Sequence, residues 1–121
     1  GIEAFLETVR AHPVTGRRKL LFSMVRDKQY RKAAQALAGS GLFDEIGLAA
    51  LSEERALPLQ TLEDSFGQYT GICVRAYDTL EAAFTKLLSQ REDKDRVYIV
   101  GSLYLAGEIK ALIRRSVHDQ F

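Results

Sequence analysis

Val97-Tyr98-Ile99-Val100-Gly101-Ser102-Leu103-Tyr104-Leu105-Ala106-Gly107-Glu108 is the stretch whose reading decides the fold. Val97 to Val100 are all β-branched or aromatic, the most strand-like run in the chain. Gly101 permits a tight turn, and Ser102 belongs to the small set of residues that cap helix N-termini. Leu105, Ile109, Leu112 and Ile113 then recur at helical spacing. This places Lys110, Arg114 and Arg115 in the closing turns, where cations suit the negative end of the helix dipole. Strand, turn and helix in that order form half of a parallel βαβ unit.

The same alternation runs upstream. Ile2, Phe5, Leu6 and Val9 predict an amphipathic first helix, closed by Pro13 and Gly16. Leu20-Leu21-Phe22-Ser23-Met24-Val25 is nearly all apolar, as a strand buried on both faces of a parallel sheet should be. Tyr30, Ala33, Ala34 and Leu37 give a helix that stops at Gly39-Ser40-Gly41. A second strand is predicted over Phe43 to Ala49, although Asp44, Glu45 and Gly47 do not favour it. Pro58 suits the first turn of a third helix with Leu59, Leu62, Phe66 and Tyr69 on its buried side. Ile72-Cys73-Val74 reads as a short third strand, with Cys73 a small buried hydrophobe. Asp78 is the expected cap of a fourth helix, with Glu81 as reciprocal partner and Leu80, Ala83, Phe84, Leu87 and Leu88 on the apolar face.

These elements predict one α/β domain over residues 1–121, a Rossmann-like, doubly wound and mainly parallel sheet with helices on both faces. The chain opens on a helix where the alternation calls for a strand, so a fragment lacking its first strand is expected. The formal charge of +1, with acids and bases interleaved as in Arg91-Glu92-Asp93-Lys94-Asp95-Arg96, argues against nucleic-acid binding. No apolar run is long enough to span a bilayer, so no membrane association is expected. The single cysteine excludes an internal disulfide and fits a reducing, cytoplasmic setting.

In open parallel sheets, ligands bind at the carboxyl ends of the strands. Two segments meet that rule. Gly101-Ser102 leads into the last helix, where free N–H groups can receive a carboxylate or phosphate, or where Ser102 is only a cap. Val25-Arg26-Asp27-Lys28 puts two cations and a carboxylate at the same edge. There Lys28 either pairs with an anionic substrate or sits in a solvated turn, and Asp27 either orients it or caps the next helix. The sequence has no G-x-x-x-x-G-K-[ST] phosphate loop, no G-x-G-x-x-G after a strand and no G-x-S-x-G elbow. His12 and His118 stand near the ends with no Cys/His cluster, so no metal site is expected.

The run VYIVGSLYLAGEIKALI resembles the end of the carboxy-terminal domain of folylpolyglutamate synthases and dihydrofolate synthases, members of the Mur ligase superfamily. LLFSMVRDK resembles that family's apolar strand ending in D-K, and Arg55-Ala56-Leu57 before a helix also matches. The similarity covers nearly all of the chain in the expected order.

The resemblance implies an ATP-dependent C–N ligase that adds L-glutamate to folate through an acyl phosphate. It implies that Lys28, Ser102, Asp27 and Gly101 help hold the incoming glutamate. It further implies that ATP and Mg2+ are bound mainly by an amino-terminal ATPase domain of the same chain, with folate and L-glutamate as substrates, and that the protein acts as a monomer. The family's D-G-A-H-N-P strand end would lie just before Gly1, so this piece alone is not expected to catalyse ligation. The other reading is a free-standing doubly wound binding or interaction module. A receiver-like version is disfavoured because Asp27 and Asp78 have no adjacent acidic pair.

Overall fold

The computed structural model describes residues 2–26, 29–52, 54–69, 71–101 and 103–119, with 103–106 and 116–119 at the level of the backbone. The elements are α1 (Ile2–Ala11), β1 (Arg18–Ser23), α2 (Tyr30–Gly39), β2 (Glu45–Leu48), α3 (Leu59–Phe66), β3 (Cys73–Ala76), α4 (Leu80–Ser89), β4 (Arg96–Gly101) and α5 (Leu103–Asp119). The four strands form one sheet in the order β3-β2-β1-β4 with every pairing parallel.

Strand alternation sends the side chains to two separate cores. Leu20 and Phe22 of β1 and Ile46 and Leu48 of β2 pack with Leu6 and Val9 of α1, Leu37 of α2, and Leu62 and Phe66 of α3. Leu21 packs on the opposite face with Leu80, Ala83 and Leu87 of α4 and Ile109 and Leu112 of α5. The sheet is therefore doubly wound. Phe5, Phe43 and Tyr98 close the first core over the β4 edge, with ring centroids 6.0–6.2 Å apart.

The polar residues that weakened β2 as a sequence reading have specific partners. Buried Glu45 lies 3.5 Å from Arg75 Nε and 3.9 Å from Lys19 Nζ, and that ammonium also donates to the Gln90 carbonyl at 3.0 Å. Asp44 Oδ2 accepts from the Arg18 N–H at 2.9 Å. Gly47 admits the Leu87 and Tyr77 side chains, which stand 3.3 Å from where a Cβ would lie. Gly41, with φ of 72°, makes the left-handed exit from α2.

Several sequence expectations are corrected. Thr79, not Asp78, caps α4, its hydroxyl accepting from the Ala82 N–H at 3.0 Å. Leu88 and Ile113 are exposed, because Leu80, Ala83 and Leu87, and Ile109 and Leu112, already define the buried stripes one helical step away. Cys73 is exposed as well: β3 is an edge strand, and α4 packs over β1 and β2. Because α5 runs on to Asp119, Lys110, Arg114 and Arg115 occupy its middle rather than its last turn. Among the described residues, no helix is long and apolar enough to cross a membrane.

Candidate functional site

The strand order reverses beside β1. From β1 the chain steps outward through β2 to β3, then returns across the sheet to place β4 on the other side of β1. The connections after β1 and after β4 thus leave toward opposite faces, α2 joining one core and α5 the other. They open a crevice at the carboxyl ends of these two strands, the place where such folds receive ligands.

The crevice has a volume of about 700 Å3. Phe22, Met24 and Val100 give it an apolar floor, Gly101 its rim, and Ala33 and Ala36 of α2 one wall. Its polar groups are Glu3 at the start of α1, Gln29 before α2, and Lys32 in the first turn of α2. The floor and sparse polar rim suit a small ligand with a hydrocarbon segment and charged ends.

Gly101 is the predicted site residue that the described structure contains. It ends β4, is exposed, lines the crevice and is the register partner of Ser23. The predicted contributions of Asp27, Lys28 and Ser102 lie outside the described residues. Their chain neighbours Gln29 and Gly101 both line the crevice.

The chain leaving β1 is held by a second segment. Residues 49–57 leave β2 and fold back along the end of β1. There Val25 and Ala56 form an antiparallel bridge, the Arg26 N–H donates to the Arg55 carbonyl at 2.7 Å, and the Leu57 N–H donates to the Met24 carbonyl at 3.0 Å. The sequence had marked Arg55-Ala56-Leu57 only as a match of residue types; its backbone in fact fixes the path of Met24, Val25 and Arg26 beyond β1. Ser23 adds an unusual feature: it is fully buried, and its hydroxyl has no hydrogen-bond partner among the described residues. Lys32 and Ser23 were both missed in the sequence. The available signals were Lys32 lying four residues after Lys28, and a single hydroxyl within an otherwise apolar strand.

The charged cluster of Lys19, Glu45 and Arg75 lies toward the other end of the sheet: Lys19 and Glu45 share a register row near the start of the strands, and Arg75 stands two residues beyond that row on β3. Tyr77 packs beside it, and burial followed by the nearby Glu45 carboxylate pushes its phenol above the ordinary value. These groups stabilise the sheet and take no part in the crevice.

No protein-family model and no curated protein matches the chain. Solved structures do. E. coli FolC in complex with ADP superposes with a TM-score of 0.81 at 21% identity, over 95% of this chain and 27% of that one. The fold is the one that the carboxy-terminal domain of FolC adopts. Mycobacterium tuberculosis folylpolyglutamate synthase, complexed with ADP and AMPPCP, gives a TM-score of 0.75 at 24% identity over 92% of this chain and 26% of that one. A bifunctional folylpolyglutamate synthase/dihydrofolate synthase with Mn, AMPPNP and L-glutamate bound gives 0.71 at 21% identity over 93% and 27%. The chain thus spans about a quarter of the length of these folylpolyglutamate synthases.

Proposed function

We propose that this chain is the glutamate-accepting domain of an ATP-dependent ligase of the folylpolyglutamate synthase family, which adds L-glutamate to folate. The observation that carries the reading is a convergence. Gln29 and Gly101, the described neighbours of the segments that resemble the family's glutamate-holding turns, both line one crevice at the switch point, and the fold around it is shared with E. coli FolC over 95% of this chain. The relative solved with L-glutamate bound supports glutamate as the ligand class.

In this reading the incoming glutamate lies with its methylenes over Phe22, Met24 and Val100. Lys28 pairs with one carboxylate and the Ser102 hydroxyl donates to the other, while Gly101 lets the backbone approach closely. Asp27 holds the Lys28 ammonium in place. Their task is to fix the two acidic ends so that the α-amine faces outward toward its reaction partner.

ATP supplies the activation, converting the folate carboxylate to an acyl phosphate. The amine attacks the acyl carbon, phosphate leaves, and the amine loses a proton as the amide forms. With no phosphate loop in the sequence, ATP and magnesium are held mainly by residues of an amino-terminal ATPase domain in a longer chain.

The test is ATP-dependent incorporation of labelled L-glutamate into a reduced folate by the full-length protein. Glutamate-dependent phosphate release with formation of the lengthened product supports the reading. A full-length protein with no phosphate-loop domain, or one that binds small ligands without ATP turnover, overturns it in favour of a free-standing binding module.

A further inference from the structure

Glu108 closes the run that opened the sequence reading, yet it lies well away from the crevice. Its carboxylate faces the middle of the 49–57 segment, where both oxygens accept from the Ser52 N–H, at 3.0 and 3.1 Å. The pair sits in a groove of about 450 Å3 between α5 and the start of α4, lined also by Thr79, Leu80, Leu112 and Arg115. Leu51 and Leu57 bury the two ends of the segment in opposite cores. Among the described residues, Glu108 provides the one side-chain hydrogen bond to residues 52–55.

The consequence follows along the backbone. The stretch held at Ser52 continues through Arg55 and Leu57, whose carbonyl and N–H grip Arg26 and Met24. Arg26 immediately precedes the Asp27-Lys28 turn. We propose that Glu108 is a positioning residue: a carboxylate on α5 that sets the backbone leaving β1 at Met24 and Arg26, through the stretch that runs from Ser52 to Leu57. It ties α5 to the backbone at the end of β1, so that Met24 on the crevice floor keeps a fixed spacing from α5. A charge-assisted bond is suited to this, because it is stronger than a neutral one and needs no burial.

The functional consequence rests on the glutamate-ligase reading; the latch itself does not. Two measurements keep them apart. Amide hydrogen exchange on this chain reads the latch: in Glu108→Ala, the Ser52, Arg26 and Leu57 amides should exchange roughly 10-fold faster. The Leu21 and Ile99 amides of the central sheet should keep their protection, and Glu108→Gln, which retains an acceptor oxygen, should recover most of the loss. If Glu108→Ala does not fold, Glu108→Asp, one methylene short of Ser52, replaces it with the same expectation. Unchanged exchange at Arg26 and Leu57 overturns the proposal.

Steady-state kinetics of the full-length ligase then read the consequence. Glu108→Ala should raise the glutamate KM roughly 10-fold while the KM for ATP stays within about 2-fold, with Glu108→Gln close to wild type. Faster exchange with an unchanged glutamate KM overturns the positioning role. A wild-type protein that adds no glutamate counts against the ligase reading, and the exchange result still decides the latch.

Discussion

Ser23 and Gly101 are register partners at the carboxyl ends of β1 and β4, so a fully buried hydroxyl sits beside an exposed residue of the crevice rim. The Ser23 side chain faces the α4/α5 side of the sheet with Leu21, while Phe22 faces the other side. Its Oγ has no partner among the described residues, and a buried unsatisfied hydroxyl costs about 1–3 kcal/mol. Ser23→Ala should therefore leave stability unchanged or raise it by up to about 1 kcal/mol in urea unfolding. A loss of more than about 1 kcal/mol would mean that the hydroxyl bonds the turn into α5.

Gly16 is pressed against the β4 approach. Its N–H donates to the Lys94 carbonyl at 3.1 Å, and a Cβ there would overlap the Lys94 backbone and lie 2.6 Å from Asp95 Oδ1. The obstacle is mostly backbone, which cannot swing aside as a side-chain tip can. Gly16→Ala should cost about 1–3 kcal/mol, although alanine in a loop ordinarily stabilises by restricting the unfolded chain. Thermal unfolding of the two proteins checks this, and an unchanged or higher Tm would show that the 91–96 turn yields.

Asp95 gives the fold a pH-dependent contribution. Its carboxylate accepts from the Arg17 N–H at 2.8 Å and the Glu92 N–H at 3.0 Å, and these bonds hold its pKa below the ordinary 3.8. The folded state thus binds fewer protons than the unfolded chain around that value. The contribution is complete above 3.8 and is lost as pH falls through the lower folded value. In Asp95→Asn the loss of stability relative to wild type should be full near pH ~5 and should shrink toward pH ~2. Urea midpoints across that range measure it; a gap that stays constant would assign the loss to altered packing instead of charge.

The fold was legible because each strand and helix carried its own periodicity. The apolar run from Leu20 declared a strand buried on both faces, and both cores draw on it. What failed was set by neighbours distant in sequence. Cys73 looked buried between Ile72 and Val74, yet edge position decided its exposure. Glu45 looked wrong for a strand until Lys19 and Arg75 came beside it. Of the crevice, the place of Gly101 at the end of β4 was readable from the strand-to-helix turn, because that rule is local. The fold-back of residues 49–57 onto Met24 and Arg26 was not, because backbone hydrogen bonds across an irregular loop leave no pattern in residue type.

Lys28 and Ser102 give the most direct test of the proposed glutamate site, since their chain neighbours Gln29 and Gly101 line one crevice. A hydrogen bond or ion pair to a charged partner contributes about 1.5–3 kcal/mol, which is roughly 10-fold to 150-fold in binding. In the full-length enzyme, Ser102→Ala should raise the glutamate KM toward the lower end of that range, with the folate KM nearly unchanged. Lys28→Ala should act in the same direction and more strongly, because a carboxylate shielded by the crevice loses its countercharge. Lys28→Arg distinguishes charge from shape: it keeps the charge but brings a larger planar fork, so a partial recovery is expected. Wild-type glutamate kinetics in Ser102→Ala would reduce that serine to a helix cap, and the same result in Lys28→Ala would return Lys28 to solvent and leave Lys32 as the cation facing the crevice.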